Sequence, residues 1–274
     1  MNKEAYWDYE TLNKLHLVLQ EILDEFVRIC DKYNLTYFLV GGTYIGALRH
    51  SGFIPWDDDL DVGMPRKDYE KFLTIANEEL NKKFFLDSYH TNPDFYLPFA
   101  KIKKNNTIID EAYSHKLNNH KGIFIDIFPF DNVNKNNLSL KMRAVISKSI
   151  NDTLAHKYQL IEFNKSLHPY ISRILSIFSV KRLIKIQERL VKYCNDDNSK
   201  YLCDIAFGYG YQKELIERCH VIPTRKLTFA GKKYSCMKDD TYLKNIYGNY
   251  MEIPPKEKRK THKPLSIDFG GKNE

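Results

Sequence analysis

In Pro55-Trp56-Asp57-Asp58-Asp59-Leu60-Asp61-Val62, two acids alternate with two apolar residues. That alternation is the period of a β-strand, whose successive side chains point to opposite faces. Leu60 and Val62 are therefore expected in a core, with Asp59 and Asp61 together on the other face. Neighbouring carboxylates repel each other, and burial penalises both. A strand tolerates them most readily around a hard cation, and all-oxygen ligands suit Mg²⁺. The alternative is a turn in which short acids cap backbone N–H groups.

Upstream, Thr36 to Val40 is rich in strand formers and runs into Gly41-Gly42-Thr43, with a short helical stretch, Tyr44 to His50, beyond. Strand, paired glycines and helix start make an anion cradle. The spacing fits neither the dinucleotide fingerprint nor the P-loop. A glycine cradle just ahead of the acids describes a phosphate held against a divalent metal, Mg²⁺ or Mn²⁺. Asp126, the only charge in the apolar run Ile123 to Phe130, is the candidate third metal ligand. A buried carboxylate needs a partner, and an ion pair with Lys101 or Arg49 is the alternative.

The chain resembles the LicD family through Gly41-Gly42-Thr43-Tyr44-Ile45-Gly46-Ala47-Leu48-Arg49-His50 and Gly52 to Pro65, and more loosely through Tyr247-Gly248-Asn249-Tyr250, Pro254-Pro255, Arg259 and His262. Asn249 departs from the pattern, where an acid is expected. The resemblance implies a nucleotidyltransferase-like fold and phosphocholine transfer. It implies CDP-choline, or a related CDP-alcohol, as donor and a sugar hydroxyl of a teichoic acid or lipopolysaccharide precursor as acceptor. It also implies that Asp59, Asp61 and Asp126 carry the chemistry, with Asp126 taking the acceptor's proton.

Around these residues, Asp57 and Asp58 are expected to orient the metal ligands. Arg49, Lys101 and Lys103 can neutralise phosphates, although basic residues are commonly solvated. Trp56 offers an aromatic face to a quaternary ammonium, although aromatics more often fill cores. His120 and His262 can shuttle protons or bind phosphate; a routine hydrogen bond is the plainer role.

Periodicity predicts helices over Tyr9 to Tyr33 and Arg66 to Lys82, and strands over Phe84 to Ser88, Tyr96 to Lys103, Thr107 to Ala112 and Ile123 to Phe128. The expected fold is α/β, a mixed sheet flanked by helices with a basic helical insert. Residues 1–134 form the catalytic core, 135–200 the insert, and 201–274 complete core and site. Between Lys141 and Lys192 eleven Lys or Arg face three acids, whereas the whole chain carries only +7. The apolar Pro169 to Phe178 lies within that stretch, so 141–192 can contact an anionic membrane surface, above all if the acceptor is lipid-linked. The alternative is a solvated insert packed on the core.

The five cysteines are odd in number and scattered without a CxxC, which argues against a disulfide framework or zinc site. Free thiols, no signal-like start and no long apolar window fit a cytoplasmic enzyme, peripheral at the inner membrane face where the insert binds. No nucleic-acid motif is present, which disfavours a nucleic-acid binder. Nucleotidyl transfer to a small molecule remains the alternative enzymatic reading.

Overall fold

A computed structural model describes residues 7–92, 95–111, 115, 119–134, 138–162, 165, 166, 168–193, 198–206, 209–259, 261, 262 and 264–271. Asp8 starts the first helix, α1 (Tyr9–Tyr33), by accepting the Thr11 N–H, and Asn34 ends it in the left-handed conformation. These are the boundaries that periodicity predicts, because a capping acid and an asparagine bracket one apolar stripe. That stripe, with Leu15, Leu19, Ile22 and Phe26 fully buried, belongs to the main core.

The core sheet is mixed. Its strands are β1 (Phe38–Leu39), β2 (Asp61–Pro65), β3 (Phe84–Asp87), β4 (Ala100–Lys104), β6 (Phe124–Val133), β9 (Arg225–Phe229) and β10 (Lys232–Cys236), in the order β3-β4-β6-β2-β1-β10-β9. β2 and β6 are parallel, as are β1 and β10; the other pairings on this path are antiparallel. β7 (Tyr201–Cys203) joins the far end of β6 and pairs with β8 (Ile216–Glu217), while β5 (Ile108–Asp110) and β11 (Ser266–Asp268) form a separate ribbon. Residues beyond 200 thus supply strands on both sides of the central pair.

Several expected boundaries shift, among them the end of the helix expected over Arg66 to Lys82, which stops at Glu79. The strand expected from Tyr96 begins at Ala100, and the one expected over Thr107 to Ala112 spans Ile108–Asp110, with Ala112 outside the described residues. β6 runs on to Val133 and so contains a second acid, the fully buried Asp131. Arg66, at the start of α3 (Arg66–Glu79), grips that carboxylate with both Nε (2.7 Å) and Nη2 (3.0 Å). A bidentate, charge-assisted pair lets an acid sit inside a sheet.

The basic stretch folds as α4 (Leu138–Lys157), α5 (Pro169–Leu175) and α6 (Val180–Lys192). Ile150, Leu154, Leu183 and Ile184 pack with Tyr96 in a satellite core. α6 turns Leu183, Ile184 and Val191 inward and leaves Lys181, Arg182, Lys185 and Arg189 exposed. The α5 region points apolar groups outward as well: Tyr170, Ile174 and Ile177 are 82%, 66% and 76% exposed. No described helix is long and apolar enough to cross a membrane.

Candidate active site

Asp61 opens β2, and the parallel register places it opposite Asp126 on β6. Asp59 lies in the extended segment just before β2, so only part of the expected strand is regular. The pairing nonetheless continues backward through the Asp126 N–H to the Leu60 carbonyl (3.0 Å). Leu60 and Val62 are buried, as alternation requires. Burial and the charges of Asp59, Asp126 and Asp57 raise the Asp61 carboxyl well above its ordinary range. Burial likewise pushes Asp59 up to about 6, with His262 offsetting part of the effect. Burial raises Asp126 too, and Lys101 counteracts it with Nζ 2.7 Å from Oδ1.

The ion pair expected as the alternative for Asp126 is therefore present, and with Lys101 rather than Arg49. It does not remove the repulsion, since three carboxyls share one locality with Lys101 and His262 against them. An all-oxygen donor set under mutual repulsion fits a hard divalent cation in chemistry. The set is open rather than closed. Among the described residues, the three acidic, His or Cys side chains whose ligand atoms all lie within 4.8 Å of one another are Glu217, Cys219 and His220, outside both cavities described below.

The paired glycines form the first residues of α2 (Gly41–Arg49), not a loop ahead of it. Gly41 has φ +55°, and a Cβ there would stand 3.1 Å from Asp61 Oδ2; at Gly42 it would stand 2.4 Å from Asp57 Oδ2. Both positions are bare because carboxylates approach the helix start closely. Thr43, assigned to substrate from the sequence, is buried and accepts the Asp61 N–H through Oγ1 (2.8 Å). It fixes the first acid of β2.

Distant segments brace the acid loop. Asp58 is buried and accepts the Trp7 indole N–H (2.7 Å) and the His262 backbone N–H (2.8 Å). His262 Nδ1 lies 3.3 Å from Asp58 and 3.7 Å from Asp59, and these acids raise its pKa to about 9. His16 stacks on Phe53 (4.0 Å between centroids) and bonds to the Asp57 carbonyl (2.7 Å). Neither Trp7 nor His16 carries a local signal in the sequence.

Asp59, Asp61 and His262 stand on the wall between two cavities. The larger, of about 790 Å³, includes Gly41, Gly42, Arg49, Trp56, Tyr209, Tyr247 and Lys258 in its lining. The smaller, of about 470 Å³, includes Lys101 and Asp126, the rings of Tyr96, Phe99 and Phe124, and Lys148, Asn151 and Asp152 of α4. The insert therefore walls one side of the site. Two cavities meeting at one acid cluster can hold two reactants with the transferred group between them.

Two candidates lie elsewhere. Lys103 pairs with the buried Asp87 (2.6 Å) and bonds to the His120 carbonyl (2.6 Å). His120 stacks on Phe85 and bonds to Asn105 (2.8 Å) and the Gly122 N–H (3.0 Å). Both are absent from the two linings: Lys103 shares its strand face with Lys101, but it stands in register with Phe124 rather than Asp126, and its charge is taken by Asp87. Trp56 reaches the larger cavity, but the Arg259 guanidinium lies 4.1 Å from its ring centroid and Arg49 lies 6.0 Å away. Arg49 also donates to the Tyr250 carbonyl (2.6 Å). Trp56 thus already carries cations. The buried acids Asp204 and Glu214 and the ring of Tyr209, all lining the larger cavity, have no counterpart in the sequence-based candidates.

Residues 34–181, more than half of the chain, match the family model described as LicD/FKTN/FKRP, nucleotidyltransferase domain. The chain is 30% identical over 266 residues to the lipopolysaccharide cholinephosphotransferase LicD of Haemophilus influenzae, covering 92% of this chain and 96% of that one. An uncharacterized protein of Rickettsia prowazekii is 35% identical over 68 residues, 25% of this chain and 26% of its own. The human ribitol 5-phosphate transferase FKRP is 38% identical over 50 residues, 18% of this chain and 10% of its own.

Proposed function

The chain belongs to the LicD family, and on that premise we propose that it transfers phosphocholine from CDP-choline to a sugar hydroxyl of a cell-surface glycan, a lipopolysaccharide or teichoic acid precursor. The observation that carries this reading is the acid cluster at the junction of two cavities, one of them walled by Gly41 and Gly42. Asp59, Asp61 and Asp126 would hold Mg²⁺ or Mn²⁺. Once bound, the ion would neutralise phosphate charge and lower the pKa of an attacking hydroxyl.

The chain's own groups divide the remaining work. Backbone N–H groups at the start of α2 face the donor diphosphate, with Arg49 and Lys258 in the same cavity. The acceptor enters the smaller cavity, beside Lys101 and α4. Its oxygen bonds to the choline-bearing phosphorus, the bond to the bridging oxygen breaks, and CMP departs. Asp126 takes the hydroxyl proton, a role suited to a carboxyl that burial has made more basic. His262, positively charged at neutral pH, lies beside Asp59 and tempers the charge of the cluster. The exposed Tyr170, Ile174 and Ile177, together with Lys181, Arg182 and Lys185, would bring the site to an anionic membrane carrying the acceptor.

The test is incubation with CDP-choline and a glycan acceptor, with and without EDTA. Free CMP and a phosphocholine-bearing glycan, both lost in EDTA, are expected. An acceptor that gains a nucleotide would overturn the reading.

A further inference from the structure

The clustered side chains outside both cavities, Glu217, Cys219 and His220, come from one short run, Glu217-Arg218-Cys219-His220. Glu217 closes β8, and the 3₁₀ turn Arg218–His220 follows directly. Arg218, between the donors, reaches back to the Ser199 carbonyl (3.2 Å) and to Asn132 on β6. Its N–H bonds to the Lys200 carbonyl (2.8 Å), and the Val221 and Ile222 N–H groups close on its carbonyl (3.0 and 2.9 Å). The backbone that carries the three donors is thus fixed from several sides.

Each donor keeps an atom for an ion. Glu217 Oε1 accepts the Tyr201 hydroxyl (3.3 Å) and pairs with Lys200 (3.3 Å), while Oε2 faces the Cys219 thiol, 3.8 Å away. His220 Nδ1 meets Asp239 Oδ2 (2.7 Å), with Thr241 Oγ1 at 3.4 Å. Nε2 makes no hydrogen bond among the described residues and is the nitrogen open to an ion. A carboxylate on the far nitrogen of a ligating imidazole fixes its tautomer and ring orientation. The Asp239 N–H also bonds to the His220 carbonyl (3.2 Å). Cys219 is exposed, whereas Cys30, Cys203 and Cys236 are buried.

One carboxylate, one thiolate and one imidazole form a donor set of borderline softness, unlike the all-oxygen cluster of Asp59, Asp61 and Asp126. We propose that Glu217, Cys219 and His220 bind Zn²⁺, with Asp239 orienting the imidazole and water in the fourth position. The thiol proton leaves to solvent as the ion binds. Zinc–ligand distances of about 2.0–2.3 Å require the donor atoms, all within 4.8 Å of one another, to draw in slightly. Rotation of surface side chains achieves this, since Cys219 is exposed and Glu217 and His220 are each 35% exposed. No CxxC announces the site, because Asp239 reaches it only after the hairpin of β9 and β10. The ion ties the 3₁₀ turn to the segment before the helix Thr241–Tyr247, whose Tyr242 and Tyr247 line the larger cavity.

The experiment strips the whole chain with EDTA, exchanges it into excess Mg²⁺, and titrates it with Zn²⁺ against a chromophoric chelator and with Co²⁺ by absorption. The wild type is expected to take up one Zn²⁺ that Mg²⁺ does not displace, and to show a thiolate-to-cobalt charge-transfer band with Co²⁺. Cys219→Ser should remove the band and weaken Zn²⁺ about a hundredfold. Asp239→Asn keeps an oxygen for the Thr241 N–H; it should retain the band and weaken Zn²⁺ about tenfold. Cys219 is exposed, so Cys219→Ser folds as the wild type does, and equal melting temperatures in EDTA check this. A wild type without the band, a band that survives Cys219→Ser, or equal Zn²⁺ affinity in those two proteins overturns the site. Zn²⁺ binding unchanged in Asp239→Asn overturns the role given to Asp239.

Discussion

Asp59→Asn should make the metal-free protein more stable. The Asp59 carboxyl rises from its ordinary 3.8 to about 6, so ionising it in the fold is harder than in the unfolded chain. At about 1.4 kcal/mol per tenfold change, the penalty at neutral pH approaches about 3 kcal/mol. One third of the side chain is exposed, and solvent screening reduces this to about 1–2 kcal/mol. For a chain of this size that corresponds to roughly 3–6 °C in melting temperature. Because the folded pKa lies above the unfolded one, the penalty is absent below about pH 4, grows as pH rises to about 6, and is constant above. Thermal denaturation in EDTA at several pH values should therefore show curves that coincide in acid and separate at neutral pH, the variant melting higher. Mg²⁺ should reverse the order by stabilising the wild type more. A variant that melts below the wild type in EDTA at neutral pH, or gains as much from Mg²⁺, would refute the view of this cluster as a repulsive cation site.

Three further outcomes are expected. Gly42→Ala places a methyl group 2.4 Å from Asp57 Oδ2, so it should cost about 1–3 kcal/mol in denaturant titrations and lower transfer about a hundredfold through the displaced acid loop. Asp126→Asn keeps an oxygen for Lys101 but loses basicity, so turnover should fall about 10²- to 10⁴-fold while the melting temperature holds; lost stability with full turnover per folded molecule would make Asp126 a structural ion-pair partner only. Changing Lys181, Arg182 and Lys185 to Glu should abolish sedimentation with anionic liposomes, each lysine or arginine contributing about 1 kcal/mol, and salt should weaken the wild type in the same assay.

What was legible in the sequence was what local order encodes. A capping acid, an apolar stripe and Asn34 delimited α1, and the alternation around Leu60 separated the core face from the acid face. The pairing of Asp61 with Asp126 was foreseen only as a partnership between two conspicuous acids; the parallel register that makes it joins positions 65 residues apart. Asp131 escaped notice as a strand residue because its stability depends on Arg66, far away in the chain. Lys103 and His120 looked like site residues because charge beside a motif is visible, whereas the register that sets Lys103 opposite Phe124, with Asp87 as its partner, is not. Glu214, Asp204 and Tyr209 lie in a stretch without periodicity, and only the folded chain brings them to the cavity.

Asp58 is held from both directions, by Trp7 near one end of the sequence and by His262 near the other. The acid loop is thus clasped by one residue well before it in the chain and one long after it. While the protein is still being translated, the core sheet can begin to gather, but the loop that carries Asp57, Asp58 and Asp59 lacks its last tether until residue 262 has left the ribosome. Order in the acid loop thus waits on residue 262, and fragments that end before it would carry the acids without the clasp that orders them.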